Sequence, residues 1–128
     1  MIVSKYIAVL ALMMLVLAWQ VIAIRRRDRI SLGDGGDKVL GRRIRVFGNF
    51  SEYTPMIIGL LIACELSGVS AWKLHVIGVM AIIGRILHAL SFQDFVKDIK
   101  AHLLLRQPGM VMTLLSILLG AIFLLIGT

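Results

Sequence analysis

Four stretches of this chain are apolar for long enough to cross a hydrocarbon core, and that confines most of its backbone to helices. The expected spans are residues 3–25, 40–66, 71–92 and 109–127. About 20 apolar residues reach across a core of roughly 30 Å. In lipid each backbone N–H and C=O must find its partner within the segment, which a helix provides. Tyr6 to Ile24 is interrupted only by Gln20. It is too long for the apolar core of a signal peptide and no small-residue cleavage site follows, so it is expected to remain as the first span. The 128 residues are 59% hydrophobic, with a mean hydropathy of +0.95. A soluble domain is roughly half apolar. The expectation is therefore an all-α integral membrane four-helix bundle, a single domain over 1–128.

The positive charge is distributed as a topology signal. Eight of the fourteen Lys and Arg residues lie between Arg25 and Arg45, and three more between residues 93 and 107. Basic connections stay on the cytoplasmic side, which places both termini outside. A net charge of +7 carried in two short connections does not point to a nucleic-acid partner. Cys64 is the only cysteine, so no internal disulfide can form and a thiolate metal site is excluded. Its expected job is packing. Glu65, Lys73 and His75 read as interfacial charges of no special role.

Between the first two spans, Ser31-Leu32-Gly33-Asp34-Gly35-Gly36-Asp37 is rich in turn formers. Asp37 is placed to cap a helix starting near Lys38. The run lacks the Lys-Ser/Thr ending of a phosphate loop. Ser67 to Ser70 reads as a tight turn, and Gln93 to Gln107 as a polar connection, in part an interfacial helix, ended by Pro108-Gly109.

The chemistry concentrates where the second span begins. Arg42, Arg43, Arg45, Asn49, Glu52 and Tyr53 lead through Pro55 into the apolar Met56 to Ala63. On a helix Arg42, Arg45, Asn49, Glu52 and Tyr53 share an arc of about 100°. Guanidinium forks, an amide, a carboxylate and a phenol complement a small zwitterion with several carboxylates and an ammonium. The plainer alternative is that the arginines flank the membrane and that Asn49 and Glu52 bond neighbouring helices. In the third span Arg85 and His88 are three apart and share a face. A lone charge at that depth costs several kcal/mol, so Arg85 is expected to neutralise Glu52 or a ligand carboxylate. His88 reads equally as a ligand contact or as a histidine satisfied at a helix contact.

Taken with Gly84-Arg85-x-x-His88 and Arg106-x-x-Gly109, the motif Arg45-x-x-x-Asn49-x-x-Glu52-Tyr53-x-Pro55 resembles the MAPEG family, the membrane-associated proteins of eicosanoid and glutathione metabolism. The resemblance covers nearly the whole chain and is nearest to bacterial members and to microsomal glutathione transferases. It implies a homotrimer in the inner membrane with glutathione held between subunits, and a site open toward the cytoplasm. The second substrate, a hydrophobic electrophile or lipid hydroperoxide, would arrive from the membrane lipid. By position, Arg45, Asn49, Glu52 and Tyr53 match residues that hold the tripeptide. Arg25, Arg26 and Arg42 resemble the basic residues around its carboxylates, and Arg106 resembles the arginine that faces the thiol. Departures at Phe47, His88 and Phe92, where the leukotriene-forming synthases carry glutamine and tyrosines, argue against leukotriene synthesis.

The implied chemistry has a physical basis. A thiol of pKa near 8.5 is only a few per cent thiolate at neutral pH. An arginine beside the sulfur favours the anion and stays charged when partly buried. Arg106, or failing it Arg26, would take that catalytic role. Arg85 and His88 join the glutathione-binding set, and glutathione is the co-substrate with no metal required. The expected function is membrane-bound glutathione transfer or peroxidation. The alternative is a non-enzymatic lipid-binding or assembly protein of the same fold.

Overall fold

The computed structural model describes residues 1–94 and 96–127. Its four helices are α1 (Val3–Asp28), α2 (Lys38–Leu66), α3 (Ala71–Ser91) and α4 (Ile99–Ile126), all long and apolar enough to cross a membrane. Large apolar side chains such as Leu12, Leu15, Trp19, Leu118 and Leu125 point outward, as they must where the solvent is hydrocarbon. The protein is an integral membrane four-helix bundle.

The helix ends follow from local chemistry. α1 finishes with Arg25, Arg26 and Arg27 in its last turn, where cations oppose the negative end of the helix dipole. Asp37 caps α2 as expected, its carboxylate accepting the Val39 and Leu40 N–H groups at 2.7 and 3.1 Å. α2 continues through Pro55 without interruption. The turn into α3 passes through Gly68 at φ 77°, a left-handed conformation that glycine adopts without penalty.

Two expectations change. α4 starts at Ile99, capped by Asp98 through the Lys100 N–H at 3.3 Å, and runs through Pro108-Gly109, where the interfacial helix is expected to end. Pro108 deletes one backbone donor but leaves the rest of the ladder intact. The next residue, Gly109, is pressed against α3, which holds the helix axis across the gap. Glu65 also has a role. α1 has no side-chain cap of its own, and the Glu65 carboxylate accepts the backbone N–H groups of Ile2 and Val3. An anion at a helix N-terminus both bonds the orphan donors and meets the positive end of the dipole.

α2 and α3 occupy the middle of the bundle, each touching all the other helices, whereas α1 and α4 do not meet among the described residues. Val3, Ile57, Leu61, Cys64, Leu74 and Ile77 form the core at the end where the chain begins. Leu10, Leu17, Val46 and Phe50 fill the end that bears the arginines. Cys64 is fully buried and donates to the Gly120 carbonyl at 3.4 Å, a packing role.

The α3–α4 contact is the closest approach, and it positions the site. A Cβ on Gly84 would lie 2.9 Å from the Gly109 carbonyl oxygen, and one on Gly109 would lie 2.8 Å from the His88 nitrogen. Only residues without a side chain let two helix backbones touch in this way. Arg85, directly after Gly84 on α3, and Thr113, one turn beyond Gly109 on α4, come face to face.

Candidate functional site

Arg85 is 1% exposed and anchors a polar layer across three helices. Its Nε and Nη2 donate to Thr113 Oγ1 at 3.0 and 2.7 Å, and its Nη1 donates to Asn49 Oδ1 at 2.7 Å. The Met110 sulfur lies 3.5 Å from Nη2, and the Tyr53 ring centroid lies 5.5 Å from the guanidinium carbon. Every one of these partners is neutral. Among the described residues Arg85 makes no ion pair, so the expected pairing with Glu52 is not made. Glu52 is exposed, while Asn49, one turn earlier, is buried and takes the Arg85 bond.

Arg85 thus leaves an unneutralised positive charge inside the bundle, and further cations approach it. Arg45 on α2 lies one turn before Asn49, and Arg106 from α4 reaches the ring of Phe92 beside His88. His88 is 4% exposed and its ring sits 5.3 Å from that of Phe92. Phe92 also receives His102 edge-on at 4.8 Å and the Arg106 guanidinium at 5.8 Å. His102 Nδ1 lies 2.8 Å from the Ser91 carbonyl oxygen, to which it donates. The aromatic Phe92 therefore orients His102 and Arg106 toward the end of α3. Arginines drawn from three helices and making no ion pair among the described residues form a site for an anion.

The remaining candidates divide. Asn49 is buried, Tyr53 is half-buried over Arg85, and Arg45, Glu52 and Arg106 are exposed beside this layer. Arg42 is instead turned to Asp94 at 3.0 Å. Arg25 donates to the Ser31 carbonyl at 2.9 Å and closes its own connection. Arg26 is exposed and makes no ion pair among the described residues.

Sequence reasoning gives no role to Thr113, a polar residue in an apolar span, and none to Arg43 beyond its place in the arginine run that opens α2. The spacing of four between Thr113 and Gly109 was the available signal, since that puts both on the face that meets α3. Arg43 donates to Gln93 Oε1 at 2.7 Å and to Asp94 at 2.9 Å, tying the start of α2 to the chain after α3. Near Gln93 ends an apolar groove of about 510 Å³ between α1 and α3, lined by Met13, Leu17, Ile86, Ala89 and Leu90.

Four membrane-crossing helices with a buried polar layer centred on Arg85 define a polytopic α-helical membrane protein with an internal polar site. The chain belongs to the MAPEG family, whose sequence model matches residues 3–126. It is similar to inner membrane protein YecN of Escherichia coli, in two strains, at 33% identity over 92 residues, covering 72% of this chain and 70% of the relative.

Proposed function

We propose that this protein is a membrane-bound glutathione transferase, with glutathione peroxidation as a second reaction of the same site. It would act as a homotrimer in the inner membrane, both termini periplasmic and the site open to the cytoplasm. The observation that carries this reading is the buried Arg85 guanidinium, which meets only neutral partners among the described residues. A peptide with two carboxylates and an ionisable thiol supplies the missing charge. Glu52 receives its ammonium, Arg45 and Arg42 its carboxylates with help from Arg25 or Arg26, and Asn49 and Tyr53 its backbone.

Arg106 stabilises the thiolate, with Arg26 the second candidate for that role. In transfer the thiolate pair forms a carbon–sulfur bond and the leaving group departs, or a proton is taken up on addition. In peroxidation the sulfur attacks the outer oxygen of a hydroperoxide and the O–O bond breaks. The alkoxide takes a proton to become an alcohol. A second glutathione converts the sulfenic acid to the disulfide and water. The groove between α1 and α3 takes the apolar part of the second substrate, delivered from lipid. Detergent-purified protein is expected to bind glutathione in calorimetry and to turn over an apolar electrophile or a lipid hydroperoxide. Absence of both binding and turnover would refute the proposal.

A second reading, a lipid-binding or assembly protein, draws on one observation. Thr113, Arg85 and Asn49 satisfy one another and join three helices without any ligand. Arg45→Ala separates the two. Lost glutathione affinity in an intact trimer favours the enzyme, and collapse of the trimer favours the structural role.

A further inference from the structure

The Asn49 amide is held by one end only. Its oxygen accepts from Arg85 Nη1 at 2.7 Å, while its two N–H donors have no protein partner among the described residues and are not enclosed. Turning the amide over would set donor against donor, because a guanidinium has no acceptor to offer. Arg85 therefore fixes which end of Asn49 looks away from the core.

Arg85 is itself immobilised. The Thr113 hydroxyl donates to the Gly109 carbonyl at 2.8 Å, which leaves its lone pairs to accept from Nε and Nη2 of Arg85. The hydroxyl is fully buried, so no water competes for those bonds. The uncompensated guanidinium charge also polarises the amide and strengthens its outward N–H groups as donors. A network serving only to join helices would have no reason to keep two donors free, on a buried residue one turn from Arg45 and Glu52.

We infer that Arg85 and Thr113 are positioning residues that make Asn49 a dedicated hydrogen-bond donor to a carboxylate or peptide carbonyl oxygen of the bound thiol peptide. This rests on the proposed function and adds to it the residues that orient the site from behind. Thr113 touches no ligand and acts through Arg85, and Arg85 acts through Asn49.

The test uses the full chain in detergent, glutathione as the probe in calorimetry, and thermal unfolding as the check on folding. Asn49→Asp keeps the acceptor for Arg85 but removes both donors, so glutathione binding is expected to weaken at least about tenfold without loss of thermal stability. Thr113→Val is expected to weaken binding by about tenfold through loss of the two Arg85 bonds, with Thr113→Ser near wild type. In the Asn49→Asp background Thr113→Val should cost nothing further, a pattern that a general structural defect does not produce.

Wild-type affinity in Asn49→Asp, or the same loss from Thr113→Val in both backgrounds, would overturn the inference while leaving the proposed function in place. A wild-type protein that binds no glutathione would overturn both. Should Asn49→Asp fail to fold, the Thr113→Val and Thr113→Ser pair decides, and equal affinities would overturn the inference.

Discussion

Replacing Gly84 by alanine should damage the protein out of proportion to the single methyl group added. The new Cβ would stand 2.8 Å from Thr113 Oγ1, 2.9 Å from the Gly109 carbonyl oxygen and 3.0 Å from the Thr113 nitrogen, where ordinary contact begins at 3.4 Å. Two of the three atoms are backbone and cannot rotate aside, so α3 and α4 must part by about half an ångström. Overpacking of this kind costs about 1–3 kcal/mol. Parting also stretches the Arg85 Nε bond to Thr113 from 3.0 Å to the limit of hydrogen bonding. A lost bond to a charged group adds about 1.5–3 kcal/mol. Alanine's better helix propensity returns only about 0.5–1 kcal/mol, for a net loss of about 1.5–5.5 kcal/mol. Reversible unfolding in mixed micelles measures this directly. Gly59→Ala, whose Cβ would meet nothing within 4 Å, is the control and should be neutral or slightly stabilising. A Gly84→Ala protein within about 0.5 kcal/mol of wild type would refute the account of the α3–α4 contact.

Glu65→Ala should cost about 1 kcal/mol through loss of the α1 cap, with faster hydrogen exchange confined to the first turn of α1. Cys64 should resist a membrane-permeant maleimide in the native protein and label fully after denaturation, since its sulfur is sealed between α2 and α4. Asp94→Asn should release Arg42 and Arg43. These ion pairs are largely exposed on the Asp94 side, so the stability loss should stay below about 1 kcal/mol and fade in high salt. The freed Arg42 should raise glutathione affinity about twofold to fivefold at low salt, measured by calorimetry.

Much of the fold was legible because hydrocarbon imposes simple rules on sequence. The spans announce themselves as apolar runs, and Asp37 announces the start of α2 by the cap it forms. The start of α4 was obscured because Pro108-Gly109 is also the signature of a helix end. Only the packing of Gly109 onto α3 explains why the helix runs through it. The site was legible along each helix and illegible between them. Helical spacing placed Asn49 with Arg45 and Arg85 with His88. No periodicity could report that Arg85 would choose Asn49 and Thr113 over Glu52, since that choice depends on how closely Gly84 and Gly109 bring two backbones together. Glu65 was misread for the same reason: its partners, the backbone groups of Ile2 and Val3, lie more than sixty residues away in sequence.

The central claim is that arginines from separate helices hold an anionic thiol peptide and stabilise its sulfur as an anion. Ultraviolet absorbance of the thiolate, recorded at neutral pH as glutathione is titrated into the purified protein, tests it most directly. A saturable rise in thiolate is expected, well above the few per cent that free glutathione ionises, lost in Arg45→Ala and reduced in Arg106→Ala. Absorbance equal to that of free glutathione at every concentration would contradict it.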